Sequence, residues 1–183
     1  MLLPRKSVSA IVAACVLALA GCGSNDSSAP AQTQPPPPGN AADRAFVNGI
    51  LPLHEKAVAI AIIGQRKGSN YVKDLSRRIA GTQPEETARL RAIGAALFAA
   101  SVPVGSLGVA PTDAADVDLK ALRASASFDR AFLRAMIPIH QATIALCTAE
   151  IAKGQQVDLK TTAQSMIDSE GGQLASMRKR LKT

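Results

Sequence analysis

Tryptophan is absent from this chain, tyrosine occurs once and phenylalanine four times. So few aromatic rings leave no platform for stacking nucleobases. The net charge of +7 therefore does not make nucleic acid a partner, and anionic lipid or cell-wall polymer is the better match for it. Cysteine is scarce too, with only Cys15, Cys22 and Cys147. There is no Cys pair at metal-binding spacing, no Gly-rich phosphate loop and no Ser-His-Asp order. No reaction class emerges, and the expectation is a binding protein, not an enzyme. Strand-like alternation is nearly missing as well, while alanine is abundant and apolar residues recur at three- and four-residue steps. That pattern predicts an all-α fold.

Residues 1–21 read as a lipoprotein signal peptide. Arg5 and Lys6 open it, an apolar core too short to span a bilayer follows, and Leu19-Ala20-Gly21-Cys22 closes it like a lipobox. Cys22 is the expected lipidation site, and the lipid is the expected link to a membrane. With Gly23 next, and no Asp, the expected place in a Gram-negative cell is the periplasmic side of the outer membrane. Residues 22–40 form a tether containing Pro35-Pro36-Pro37-Pro38, a run that favours extended polyproline II. Cys147 is then left without a partner in the mature chain, as a free thiol. The remaining 41–183 are long enough for one core.

What the sequence does have is a repeat. Asp43-Arg44-Ala45-Phe46 runs on to Pro52-Leu53-His54, and Asp129-Arg130-Ala131-Phe132 to Pro138-Ile139-His140, 86 residues later. Lys67-Gly68 and Lys153-Gly154 extend the match at the same offset, and the two histidines are the only ones in the chain. An internal repeat sets the architecture before any local assignment. The repeats 43–98 and 129–182 are each expected to form a helical hairpin, because the turns near Gly68 and Gly154 are short. Helices are predicted over about 41–66, from about 70 onward, 127–153 and 157–181. A short helix capped near Thr112 or Asp113 is predicted between the hairpins. Together these make a four-helix bundle in which the first and third long helices run parallel. Pro52 and Pro138 fall inside helices, two residues before each histidine, and free the carbonyls of Asn48 and Arg134.

One layer of the apolar stripes is polar. His54 lies about 12 residues before the end of its helix and Gln83 about 13 after the start of the next, so at 1.5 Å per residue they meet at one height. His140 and Glu170 do the same in the second repeat. The expected pairs are His54 with Gln83 and His140 with Glu170. A hydrogen-bonded register layer accounts for such a set. So does a transition-metal site built from His54, His140 and Glu170, with Met136 on the same face and Cys147 as a further soft donor, a set that suits copper. Glu55 and Glu150 fall off the stripes, which disfavours a di-iron carboxylate site.

From Phe128-Asp129-Arg130-Ala131-Phe132-Leu133 through Met136-Ile137-Pro138-Ile139-His140 the chain resembles the exported bacterial family known as domain of unknown function 305. The resemblance implies a ferritin-like bundle, frequently lipid-anchored, in a family some members of which are implicated in copper or silver binding. Where that family has paired histidines this chain has Leu53-His54 and Ile139-His140. The family methionine before the histidines is kept as Met136 but is Ile50 in the first repeat, and a later one is kept as Met177 in the last helix but is Leu90 in the second. The implied metal site is therefore thinned here.

Overall fold

A computed structural model describes residues 39–110 and 112–182, and the expected signal, Cys22 and the proline run lie outside them. The described residues are all-helical, without a strand. Four long helices, α1 (Ala41–Lys67), α2 (Asn70–Ala99), α4 (Phe128–Lys153) and α5 (Val157–Leu181), accompany a short α3 (Leu119–Ala124). Asp118 caps α3 by accepting from the Lys120 and Ala121 amides, so the cap falls a turn later than expected at Thr112 or Asp113. The Thr112 hydroxyl instead accepts from the Ala114 amide in the preceding turn.

The hairpin turns lie where the repeat places them. Both are tight enough that a side chain has no room. A Cβ on Gly68 would lie 2.4 Å from Val72, and one on Gly154 would lie 2.1 Å from Glu150. Within each hairpin the helices pack closely, and α1 also packs on α4.

The relation between the hairpins differs from the expected one, since α1 and α4 are antiparallel. The Asn40 side-chain amide donates to the carbonyl of Lys153, Gly49 faces Leu146, and Gly64 faces Phe132. The two repeated aspartates supply the reason. Asp43 is fully buried and its Oδ1 accepts from the amides of Gln155 and Gln156, both at 3.0 Å. Asp129 Oδ1 accepts from the Ser69 amide at 3.1 Å. Ser69 and Gln155 are equivalent positions, so each repeat's aspartate ties down the other repeat's turn. A buried carboxylate needs such donors, and only opposite helix directions bring each aspartate to the other turn.

The segment between α2 and α4 must then cross the length of the molecule, about 40 Å for a helix of this size. It does so along α1. Gly105 donates to Ala41, Val117 accepts from Lys56, and Arg123 accepts from Lys67. The core divides into two apolar clusters, one built on Leu53, Ile60, Ile79, Phe132 and Met136, the other on Phe46, Ile50, Leu90, Cys147 and Met166.

Candidate functional site: a buried polar layer

Between the two clusters lie His54, Gln83, Thr87, His140, Thr143 and Glu170, all buried. Their helices supply one or two residues each, at the height where the apolar stripes are interrupted. The contacts do not follow the expected pairs. His54 Nε2 meets Glu170 Oε1 across the core at 3.2 Å, and its Nδ1 faces Glu86 Oε2 at 3.8 Å. Gln83 donates to the same Glu170 oxygen at 3.1 Å. His140 is bonded to Gln173 and not to Glu170, with Nε2 3.1 Å from Gln173 Oε1 and Nδ1 3.1 Å from the carbonyl of Met136. The expected pairs of His54 with Gln83 and His140 with Glu170 assumed that neighbours within a hairpin meet. The contact made instead is the diagonal one between α1 and α5, which becomes available once the hairpins pack antiparallel.

The two histidines are chemically distinct. A carbonyl can only accept, so Nδ1 of His140 bears a hydrogen, and the Gln173 amide satisfies the other nitrogen in whichever orientation suits it. His54 is fully buried with no hydrogen bond at either nitrogen. The Glu170 contact is close enough for one but too poorly aligned, and Glu86 is too far. Gln83 Oε1 and Glu170 Oε2 are likewise buried without a partner. Buried polar atoms left this way are costly, and here they belong to three side chains that meet at one Glu170 oxygen.

Glu86 is the outermost member of the group. Burial pushes its carboxyl above the usual range, His54 beside it pulls it down, and the charges of Glu170 and Glu85 push it up further. It lines two adjoining clefts of about 360 and 440 Å³ between α2 and α5, whose walls are mostly Gly, Ser and Thr. The polar layer is thus approached from the α2–α5 face. A larger cleft of about 610 Å³ lies between α1 and α4 at Pro52 and Pro138, but no ionisable residue lines it.

Of the other residues expected to bind metal, Met136 packs in one apolar cluster and offers the layer its backbone carbonyl. Cys147 sits in the opposite cluster, with its Sγ 3.7 Å from Met166 Sδ. Burial, reinforced by the charges of Glu170, Glu86 and Glu150, raises the Cys147 thiol well above its ordinary value and keeps it protonated. The soft-donor set of Met136, His140 and Cys147 is therefore not assembled. Among the described residues no group of three or more His, Cys, Asp or Glu stands close enough to hold an ion. What stands together is His54, Glu170 and the Gln83 amide.

Three residues escaped the sequence reading. Glu86 and Gln173 each lie three residues beyond a residue of the layer, Gln83 and Glu170, and that one-turn spacing in both repeats was a readable signal. Glu150, expected off the core, is fully buried beside Asp43. Burial and the neighbouring Asp43 raise its pKa to about 8, against a smaller opposing pull from Lys160. A charged Glu150 has no donor for either oxygen. Once protonated, it has Asp43 as acceptor.

The sequence model of a family described as Domain of unknown function (DUF4142) matches residues 28–177. The chain belongs to the DUF4142 family. The motif pointed to family 305, and the matching family is this other one. No curated protein matches this DUF4142 chain. Among solved structures it is similar to CopM in the Cu(I)-bound form, at 25% identity and a TM-score of 0.64 over 76% of this chain and 95% of that one. CopM in the Cu(II)-bound form is similar at 24% identity and a TM-score of 0.65 over 76% and 95%, and CopM in an Ag-bound form at 23% and 0.64 over 76% and 94%.

Proposed function

We propose that this protein is a lipid-anchored, exported, ferritin-like four-helix bundle that binds a transition-metal ion of the copper type without catalysing a reaction. The observation that carries the reading is the buried, unbonded His54 facing Glu170, with unpartnered oxygens of Glu170 and Gln83 beside it. Two ligands of one ion bound at about 2.0–2.2 Å stand about 3 Å apart, and the His54–Glu170 separation of 3.2 Å fits that edge. The ligands are Nε2 of His54 and the Glu170 carboxylate, with the Gln83 amide oxygen as a neutral third donor. Glu86 at the α2–α5 clefts attracts the cation inward. Imidazole with carboxylate favours Cu(II) or Zn(II) over the soft Cu(I).

The single crossover between two antiparallel hairpins supports the ferritin-like description, and the similarity to metal-bound forms of CopM supports the copper reading. The lipid anchor at Cys22 and a periplasmic, membrane-attached location rest on the signal and lipobox pattern. A purely structural hydrogen-bonded layer is the second reading, favoured by the satisfied His140–Gln173 pair. Titration calorimetry of the full chain with Cu(II) and with Zn(II) separates the two. One ion per chain, abolished in His54→Ala and in Glu170→Ala, is expected. Uptake that is absent, or unchanged in both variants, leaves the structural layer.

A further inference from the structure

The positive charge is concentrated at one end of the molecule. α1 ends in Arg66-Lys67 and α5 in Arg178-Lys179-Arg180, with Lys182 just beyond, and the antiparallel packing brings these ends together with the beginnings of α2 and α4. Arg180 lies over the Tyr71 ring at 5.8 Å, and Tyr71 bonds Ser176 on α5, which fixes the four ends at one level. At the opposite end Arg44, Lys153 and Lys160 stand with Asp158 and the buried Asp43.

Helix electrostatics accounts for only part of this. Cations at the C-terminal ends of α1 and α5 complement the helix dipole. The first turns of α2 and α4, however, hold Lys73 and Arg130, where the dipole disfavours them, and Arg78 and Arg134 lie one to two turns further in, with Asp74 and Asp129 as the acidic residues among them; Arg78, Arg130 and Arg134 are exposed. Arg123 at the end of α3 adds to the same surface and is exposed as well. The dipole therefore does not account for Lys73 and Arg130, nor for the cations further along.

The geometry points to this end as a docking surface for an anionic phospholipid bilayer. Four helix ends at one level spread these cations over a face with two small clefts of about 280 and 150 Å³, which suits a planar array of headgroups better than a polymer backbone. A cation near an anionic membrane surface contributes about fivefold in partitioning. The face lies a full helix length, about 40 Å, from Asn40, where the chain enters the bundle. This surface is independent of the polar layer.

The test is cosedimentation of the full chain with vesicles of phosphatidylcholine alone and of phosphatidylcholine with about a third phosphatidylglycerol, at about 0.05 M and about 0.5 M salt. Anionic vesicles should bind about tenfold more protein at low salt, or better, and high salt should remove the difference. Arg123→Glu/Arg130→Glu should abolish the preference. An acidic side chain at position 130, at the start of α4, suits the helix dipole, and position 123 is exposed at the end of the short α3. Arg178→Glu/Lys179→Glu should also abolish the preference. Arg89→Glu/Arg91→Glu changes the net charge equally on the exposed side of α2 away from this end and should keep the preference. Equal loss in all three variants, no preference for anionic vesicles, or capture by a soluble polyanion without vesicle binding would each overturn the proposal.

Discussion

Replacing Glu150 with Gln should remove a pH dependence from the stability of this protein. The folded chain holds the Glu150 carboxyl near pKa 8, against 4.5 for the free group, because the side chain is fully buried and Asp43 lies beside it. Between those values the folded state keeps a proton that the unfolded state has released. By linkage, stability then falls as pH rises and levels off above about 8. Each pH unit in that window is worth about 1.4 kcal/mol, so the loss between about pH 5 and about pH 8 is about 4 kcal/mol. That is a large share of the roughly 5–15 kcal/mol typical of a domain. Glutamine is isosteric, neutral at every pH and able to donate to Asp43 as the protonated acid does. Urea unfolding of the full chain, followed by far-UV circular dichroism from about pH 5 to about pH 8.5, reads the effect. Wild type and Glu150→Gln should coincide near the acid end of that range, and the variant should exceed wild type by several kcal/mol at the alkaline end. The difference between the two curves isolates this residue from Glu86, whose raised pKa acts in the same direction in both proteins. Parallel curves over the whole range would refute a buried, protonated Glu150.

Further outcomes follow from the glycines and the expected anchor. Gly172→Ala should raise stability by up to about 1 kcal/mol, since a Cβ there meets nothing within 4 Å inside a helix. Gly64→Ala should instead destabilise by about 1–3 kcal/mol, because its Cβ would lie 2.2 Å from Ser76 Oγ and 2.6 Å from Phe132; thermal melts of the two variants check the sign reversal. Cys22→Ser should block lipid attachment and change membrane partitioning. Intact-mass measurement and fractionation of the wild type decide this one, and a lipid-free, fully soluble wild type would count against the anchor.

The fold was legible to the extent that contacts are local. The repeat, the Gly68 and Gly154 turns and the stripes through Ile50, His54, Leu133 and His140 pointed to two hairpins with nearly the observed helix ends, because periodicity and short turns act within a hairpin. Nothing local says how one hairpin lies on the other. Asp43 and Asp129 were visible as a repeated pair, but that each caps the other repeat's turn is a relation across 112 and 60 residues. The polar layer was read at the right height for the same local reason. Its partners were not, because His54–Glu170 is a diagonal contact between helices from different hairpins. Glu150 was missed because its burial comes from the turn and Asp43, outside the apolar stripe of its own helix.

On the proposed reading His54, and not His140, takes the metal, because His54 is buried with both nitrogens free of hydrogen bonds while His140 is held by Met136 and Gln173. Electron paramagnetic resonance of the full chain with one equivalent of Cu(II) tests it most directly. The expected spectrum shows one coordinated imidazole nitrogen with oxygen ligands, lost in His54→Ala and kept in His140→Ala. A spectrum with two imidazole nitrogens, or one that survives in His54→Ala, would contradict it.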